Sequence, residues 1–472
     1  MMENIPGSSH LSRGWMMLGK IFDAFVQESP VSVMARGLAE RLVDAQTLDG
    51  WFEQLDCAQY TRELLFSSLF SLMSQVVCGS QKSVNAAYQS AKEPVGTSIV
   101  SVYNKLKGID VETSAGLVRF TAGQARTLIE DLQGTLPPLL PGYRGKILDG
   151  NCIKASEHRI KELRDLSGGA LPGKSLVVLD PALGLPIEVF PCEDGHAQER
   201  SLLDGVLATV MPRDLWIADR NFCTLGFLHG IAQAQAYFVI REHKHLPWQP
   251  TAGSRLRAAG KTDTGSLSQQ AVEILDENGQ ALRLRRVRVR LHTPTRDGER
   301  DIYLLTNLPV RDASARKVAE LYRQRWSVET AFQELEAHLH SEINSLGYPK
   351  AALFGFCVAL IAYMVMAVLK AALRSVHGAQ TIAQNFSGYY LAEELSNVYR
   401  GMMIAIPAPH WTVFSQLAQR ELIEVLQMLA RHVNLSRFQK HPRGPKKPAT
   451  KRKADPQHPH VSTARLIAAR KK

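Results

Sequence analysis

The chain of 472 residues predicts an α/β protein, in which a mixed-sheet core is interrupted by a β-rich insertion and flanked by helical regions. Three observations carry this prediction. Apolar residues follow helical spacing before residue 138, short apolar runs end in acidic residues after it, and strand-like alternation fills residues 244–312. At roughly 150 residues per domain, the length allows about three domains.

Residues 1–138 are predicted to be helical, and GTLPPLLPGYRG ends this region because its prolines and glycines break helices. Within it, QKSVNAAYQSA and TSIVSVYNKLK predict two short helices joined by a turn at Pro94–Gly96, with Thr97 or Ser98 as the cap. A helix-turn-helix that enters the major groove of DNA is one interpretation, and two packed helices without a DNA contact are the other.

The core is predicted in two parts, 139–243 and 313–375. In the first, Asp149 follows the apolar run Ile147–Leu148 and Asp219 follows Leu215–Ala218. Both runs predict short buried strands, and two neighbouring strand ends would aim their carboxylates at one point. SLVVLD and PIEVFPC predict a hairpin around Gly184, residues 199–209 a helix, and AYFVIRE another strand.

The 110 positions between Asp219 and Glu329 are too many for a simple connection, so an insertion is expected at 244–312. Its strand LRLRRVRVRL shifts its apolar phase by one near Arg285, which predicts a β-bulge. Arg286, Arg288 and Arg290 are candidate contacts to DNA phosphates. An exposed basic edge that prevents aggregation is the alternative.

Glu329 lies in a predicted helix with Ser314 as N-cap, so two strands and one helix each supply a carboxylate. Carboxylate oxygens suit Mg²⁺, whereas Zn²⁺ prefers cysteine and histidine. Two such cations about 3.5 to 4 Å apart activate the attacking oxygen and stabilise the leaving oxygen in phosphodiester chemistry. Asp149, Asp219 and Glu329 are therefore the predicted catalytic and metal-binding residues.

Tyr322, Arg325 and Glu329 have the spacing Y-x2-R-x3-E, and Trp326 directly follows Arg325 within this motif. Together with the DG after Asp149 and the ADRNF around Asp219, this pattern resembles the signature of IS4-family DDE transposases over residues 140–375. Trp326 is interpreted as a core residue.

The resemblance implies an RNase H-like core and cut-and-paste transposition by an insertion-sequence transposase. Such an enzyme cuts double-stranded DNA at terminal inverted repeats and joins the 3′ ends to target DNA with two Mg ions, or Mn as a substitute. It also implies that Tyr322 and Arg325 bind the transposon-end backbone, and that the protein acts as a homodimer on DNA.

One position departs from the family pattern, which has a lysine seven residues after the glutamate, where this chain has Glu336. On an ideal helix Glu336 shares a stripe with Tyr322, Arg325 and Glu329, and an acid there would repel phosphate. Three accounts are open. Another basic residue makes the DNA contact, Glu336 pairs with Arg325 or a basic neighbour, or the protein is a catalytically impaired DNA-binding relative.

Residues 351–369 carry no charge and are just long enough to span a bilayer, but the same run suits a core helix, which we expect. A helical region is expected at 376–436. The last segment, 437–472, holds twelve Lys and Arg and one acid, so its charge alone equals the net charge of the chain, +11. We expect this segment to be a disordered tether to polyanions.

The six cysteines show no C-x-x-C spacing, so we expect reduced thiols and neither disulfides nor a zinc site. These features predict a cytoplasmic, nucleoid-associated protein without a membrane anchor.

Overall fold

The computed structural model describes residues 17–55, 64–91, 95–295, 297–441 and 460–470. Within these residues the chain forms one large mixed sheet with helices on both faces, and a helical bundle built from the flanking regions. The prediction of a mixed α/β protein with many helices is therefore confirmed.

The N-terminal region is helical, as predicted. Its helices are α1 (Asp23–Glu28), α2 (Pro30–Val43), α3 (Ala45–Glu53), α4 (Phe66–Val77), α5 (Val84–Ser90), α6 (Ile99–Gly108) and α7 (Val111–Asp131). Helices α5 and α6 are the two predicted from the helix-turn-helix outline. Ser98 caps α6, since its side chain accepts the backbone N–H of Ser101. Pro94, in the predicted turn, lies outside the described residues.

The strands are β1 (Arg144–Cys152), β2 (Ala170–Leu171), β3 (Lys174–Asp180), β4 (Leu185–Cys192), β5 (Asp214–Ala218), β6 (Tyr237–Arg241), β7 (Gln249–Pro250), β8 (Arg257–Thr262), β9 (Gly265–Leu275), β10 (Ala281–Leu291), β11 (Asp301–Thr306) and β12 (Val461–Ser462). In the described chain, ten of them form one sheet in the order β4-β3-β1-β5-β6-β11-β10-β9-β7, with β8 paired to β9. Strands β1, β5 and β6 run parallel to one another. Strands β3 and β4 form the predicted hairpin, whose turn places Gly184 at a φ of 70°.

The remaining helices cover the two faces of this sheet and complete the bundle. They are α8 (Leu203–Leu207), α9 (Leu225–Gln233), α10 (Ala315–Arg323), α11 (Trp326–His338), α12 (Pro349–His377), α13 (Ala379–Asn385), α14 (Gly388–Ala405), α15 (Ala408–Trp411), α16 (Val413–Gln416), α17 (Gln419–His432) and α18 (Thr463–Arg470). Helices α8 and α9 pack on one face, and α10 packs on the other.

The strands within residues 244–312, where the insertion is expected, continue the large sheet, because β11 pairs with β6 and carries β10 and β9 beside it. The predicted bulge near Arg285 is wrong, since the β9–β10 register is unbroken from Ala281 to Leu291. The apolar phase shifts because the strand borders two cores. Leu284 packs into the core on one face, whereas Val287 and Val289 pack into the core on the other.

Helix α12 contains the uncharged run 351–369 and is the central helix of the bundle, where it packs on α2, α4, α7 and α17. It is the one helix of the described chain that is long and apolar enough to cross a membrane. The rest of the protein buries 89% of its most apolar window. This burial supports the interpretation as a core helix.

Residues 437–472 were expected to be a disordered tail, but the structure is ordered near both ends of this segment. Gln439 forms a bridge with Phe386, and β12 adds in parallel to β2, after which α18 begins. Asp194 fixes this second end, since it accepts hydrogen bonds from Ser462 at 2.7 Å and from Arg465 at 2.8 Å. Sequence composition alone missed these tertiary contacts, and residues 442–459 and 471–472 lie outside the described residues.

The described cysteines, Cys78, Cys152, Cys192, Cys223 and Cys357, are free thiols. This agrees with the predicted lack of disulfides in the described part of the chain. Cys57 lies outside it.

If α12 is a core helix, shortening one of its buried side chains must destabilise the fold. Leu360 is 1% exposed, so Leu360→Ala is expected to lower the free energy of unfolding by about 2 to 5 kcal/mol. Denaturant unfolding measures this change. Ile404→Ala, at a side chain that is 79% exposed, serves as the control and should change little. Equal stability of the two variants would contradict the burial of α12.

Candidate active site

Two aspartates lie side by side on the parallel pair of strands at the centre of the sheet. The last residues paired between β1 and β5 are Leu148 and Ala218, so Asp149 is the next residue of β1 and Asp219 is the first residue after β5. The prediction that neighbouring strands bring them together is confirmed. Asp149 does not end its strand, however, because β1 continues to Cys152 along β3 and pairs Asp149 with Val177.

The alternation of side chains along a strand decides which face the aspartates occupy. Ile147 and Ile217 pack into the core beneath α10, whereas Leu148 and Ala218 pack into the core on the opposite face. Each aspartate is two residues from one of these isoleucines, and therefore lies on the face covered by α10.

Glu329 reaches this face from a helix that is broken. Ser314 caps α10 as predicted, accepting the N–H of Lys317. At the joint between α10 and α11, the N–H of Arg325 donates to the carbonyl of Tyr322 at 3.0 Å, a three-residue step that tightens the turn. Arg325 is the N-cap of α11 and Glu329 lies in its first turn.

The Arg325 guanidinium connects the acidic residues. Its Nη1 donates to Oδ2 of Asp149 at 2.9 Å, and its Nη2 donates to Oε1 of Glu329. The Arg325 side chain is 13% exposed, and its Nε is buried without a hydrogen-bond partner. The structure thus brings Asp149 and Glu329, which are 180 positions apart, onto one cation.

Burial raises the pKa of Asp149 to about 7, although Arg325 and the backbone N–H of Gly150 act to lower it. The charges of Asp219 and Glu329 raise this pKa further, which shows that all three carboxylates share one electrostatic environment. Burial likewise raises the pKa of Tyr322, and Asp219 adds to this effect, so Tyr322 also belongs to the site.

The donor chemistry of the site fits a hard dication, since three carboxylates supply only oxygen ligands. The geometry of this state does not, because Arg325 takes an oxygen of Asp149 and one of Glu329. In the described ranges, no three His, Cys, Asp or Glu side chains are grouped closely enough to hold a metal. The expected sharing of bound cations by Asp149, Asp219 and Glu329 is therefore not seen in this arrangement.

The comparison with known protein families agrees with this geometry. Residues 140–365 match the family model described as the transposase DDE domain. Over these residues, just under half of the chain, the protein is similar to the transposase DDE domain. The matched residues include Asp149, Asp219 and Glu329, together with the strands and the helix that carry or precede them.

The chain is also similar to proteins named as transposases or putative transposases, some of them of bacterial insertion sequences. A putative transposase y4zB from Sinorhizobium fredii is 26% identical over 205 residues, which are 43% of this chain and 55% of the relative. The putative transposase InsL for insertion sequence element IS186A from Escherichia coli K12 is 25% identical over 243 residues, 45% of this chain and 62% of the relative. The transposase for insertion sequence element IS421 from Escherichia coli matches to the same extent. The chain thus spans less than two thirds of the length of these relatives.

Glu336, at the position where the resemblance predicts lysine, contacts Lys154 just beyond β1. Of the three accounts, this contact matches the one in which Glu336 pairs with a basic neighbour. Both side chains are more than half exposed, so the ion pair is weak and open to exchange. No local pattern predicts that Lys154 lies near Glu336, because 182 positions separate the two residues.

Two of the five arginines of β10 pair with carboxylates of neighbouring segments. Arg286 pairs with Glu242 at 3.1 Å and lies over the ring of Tyr303, and Arg288 pairs with Asp301 at 2.9 Å. Arg290 is exposed. The DNA contacts predicted for Arg286, Arg288 and Arg290 stay predictions, and the exposed side chain best placed for one is Arg290.

Trp326 is not the predicted core residue, since 59% of its side chain is exposed. It lines an open cavity of about 430 Å³ with Lys317, Arg323 and Gln324 at the joint between α10 and α11. Trp326 is the first residue of α11, just after the break between α10 and α11, and its indole faces outward there.

Asp149 is expected to make stability depend on pH. Its pKa in the folded state, about 7, exceeds its ordinary value of 3.8, so folding favours the protonated acid and stability falls as pH rises from about 4 to 7. Asp149→Asn, which cannot ionise, should therefore melt higher than the wild type at pH 8 and similarly at pH 4. Thermal unfolding at the two pH values measures this difference. Asp204→Asn, at an exposed acid, is the control. If the difference in melting temperature between Asp149→Asn and the wild type does not grow from pH 4 to pH 8, the result would contradict a buried Asp149 that titrates.

Proposed function

We propose that this protein is the transposase of an insertion sequence of the IS4 type. It would cut DNA at terminal inverted repeats and join the 3′ ends to target DNA. The observation that carries this proposal is that Arg325 joins Asp149 to Glu329, while the pairing of β1 with β5 places Asp219 beside Asp149. The names of the relatives support the same activity.

The strand order supports an RNase H-like core. Strands β4, β3 and β1 are antiparallel neighbours, and β5 and β6 continue the sheet parallel to β1. In this arrangement the central strand carries Asp149, the next strand carries Asp219, and a covering helix carries Glu329. The insertion then lengthens the sheet beyond β6 without disturbing these three positions.

Asp149, Asp219 and Glu329 are the residues that would hold divalent cations, expected to be two Mg ions. When bound, such ions would activate the attacking oxygen and stabilise the leaving oxygen. The carboxylates become free for this role only when Arg325 leaves Asp149 and Glu329. A DNA phosphate is a suitable new partner for Arg325, because the guanidinium fork binds phosphate and carboxylate equally well in two-point contacts.

Tyr322 and Arg325 would therefore grip the backbone of the transposon end at the site of reaction. The buried, unpartnered Nε of Arg325 gives this side chain one donor that the present contacts leave unused. DNA binding would thus exchange a carboxylate partner for a phosphate. Because two ends are cut and joined together, the protein is proposed to act as a dimer on double-stranded DNA.

The second candidate function is a catalytically impaired DNA-binding protein related to transposases, and Glu336 favours it. Lys154 argues for an active enzyme, since it supplies a positive charge beside the position that Glu336 occupies. We propose that Lys154 takes the place of the family lysine and turns from Glu336 to a DNA phosphate.

The activity is tested with a plasmid that carries the DNA flanking the gene. Wild-type protein is expected to nick this plasmid in the presence of Mg²⁺, and Asp149→Asn should lose nicking by at least about 100-fold while still shifting the DNA in a gel. Asp204→Asn is the matched control. DNA binding without nicking by the wild type would favour the impaired alternative.

The role of Lys154 is tested by exchanging its charge with that of Glu336. Lys154→Glu should weaken binding of the flanking DNA by about 10- to 150-fold, the range expected for losing one hydrogen bond between a charged group and a phosphate. Glu336→Lys should keep or strengthen binding, and the double variant should restore it. The gel-shift titration that measures this would contradict the proposal if Lys154→Glu bound like the wild type, or if the double variant bound no better than Lys154→Glu.

A further inference from the structure

Gly150, directly after Asp149, lies against a glutamate that none of the predicted site residues includes. A Cβ built at Gly150 would stand 2.6 Å from the carboxyl carbon of Glu199, closer than a real side chain can approach. The Glu199 carboxylate thus occupies the space beside β1 that a side chain at position 150 would need, and it would have to shift to admit one.

The same carboxylate reaches the segment that carries Asp219. Oε2 of Glu199 accepts a hydrogen bond from the Asn221 side chain, and Nε of Arg200 donates to the Asn221 carbonyl at 2.7 Å. The backbone N–H of Asn221 in turn donates to Oδ1 of Asp219 at 2.7 Å. Glu199 therefore holds the side-chain amide of Asn221 and Arg200 holds its backbone carbonyl, and Asn221 in turn orients Asp219.

We propose that Glu199 is a positioning residue that sets the arrangement of Asp149 and Asp219 from the opposite face of the sheet. The inference rests on the proposed function, for which these aspartates are the reacting acids. Glu199 contacts β1 at Gly150 and the turn after β5 at Asn221, so it spans the two segments that carry them. Arg200 assists by fixing the Asn221 backbone.

The sheet alone does not fix Asp219. The ladder between β1 and β5 ends at Leu148 and Ala218, and the chain after Asp219 turns into a short 3-10 helix, Arg220–Phe222. The side chain of Asp219 is the N-cap of this turn, held by the N–H of Asn221. A shift of Asn221 would therefore move an Asp219 oxygen directly, while the paired part of the sheet stays in place.

The size of the expected effect follows from how sharply such sites depend on geometry. Displacing a reacting group by about 1 Å costs on the order of 100-fold in rate. Loss of residues that orient metal ligands costs about 10- to 100-fold in metal affinity or activity. Both effects would leave DNA-end binding unchanged, because Glu199 lies on the face away from Arg325.

The test compares Glu199→Ala, Glu199→Gln and Asn221→Ala with a control, Glu188→Gln. Glu188 is a matched glutamate on β4, half-buried and paired with Arg119 at 2.8 Å. Three quantities are measured for each full-length variant. They are the single-turnover nicking rate of the flanking-DNA plasmid, the gel-shift affinity for the same DNA, and the Mn²⁺ affinity of the protein by electron paramagnetic resonance.

Glu199→Ala and Asn221→Ala are each expected to reduce the nicking rate and the Mn²⁺ affinity by about 10- to 100-fold with unchanged DNA affinity. The double variant should fall no further, because the two residues act as one unit. Glu199→Gln, which keeps a hydrogen-bond acceptor, should recover most of the loss, and the Glu188→Gln control should behave like the wild type.

A second substitution separates positioning from simple structural support. Gly150→Ala forces the Glu199 carboxylate away, so it should lower both stability and Mn²⁺ affinity. Combining it with Glu199→Ala removes the clash, and should restore the melting temperature but not the Mn²⁺ affinity. Recovery of both together would overturn the proposal.

The proposal is also overturned if Glu199→Ala leaves the Mn²⁺ affinity at the wild-type value, whether or not the wild type nicks DNA. Failure of the proposed function gives a different result. In that case the wild-type protein does not nick the flanking DNA, while the Mn²⁺ titration still reports on the arrangement of Asp149 and Asp219.

Discussion

The bridge that Arg325 makes between Asp149 and Glu329 is the interaction on which the site depends. Carboxylates gathered on one partly buried surface repel one another, and burial alone penalises each charge. A single guanidinium with two donors facing two acids offsets this repulsion. The positive charge of Arg325 thus offsets the negative charge of Asp149 and Glu329 in this structure, and a cation from solution has to compete with Arg325 for their oxygens.

The rest of the fold holds the two ends of this bridge. Parallel pairing of β1 with β5 puts Asp149 beside Asp219, and apolar residues on alternate sides of these strands bury the sheet between two cores. Helix α10 packs on the face that carries the aspartates, and the tightened turn after it points Arg325 and Glu329 toward β1. On the opposite face, Glu199 joins Gly150 to Asn221. Each acid is therefore set by contacts that involve different parts of the chain.

Local signals in the sequence predicted much of this arrangement. The apolar run before Asp219, the turn at Gly184 and the cap at Ser314 depend on neighbours within a few residues, and the structure has all three. The apolar spacing of Leu321, Val328, Phe332 and Leu335 predicted the helical segment that carries Glu329, although the structure divides it into α10 and α11.

Features that depend on distant contacts were missed. The phase shift of β10 required knowing that both faces of the insertion are buried, and the exposure of Trp326 required knowing that the helix breaks at Arg325. Lys154 and Glu199 approach the site only through folding, and Arg286 and Arg288 meet their carboxylate partners in the same way. Charge patterns suggested a surface for DNA because they could not show these internal ion pairs.

Control of the acids by Arg325 is tested most directly by titrating wild-type protein with Mn²⁺ in the absence and in the presence of the flanking DNA duplex. If the arginine moves from the carboxylates to a phosphate, the duplex should raise the Mn²⁺ affinity, and Arg325→Ala should raise the affinity of the DNA-free protein. Equal Mn²⁺ affinity in all three measurements would contradict the account.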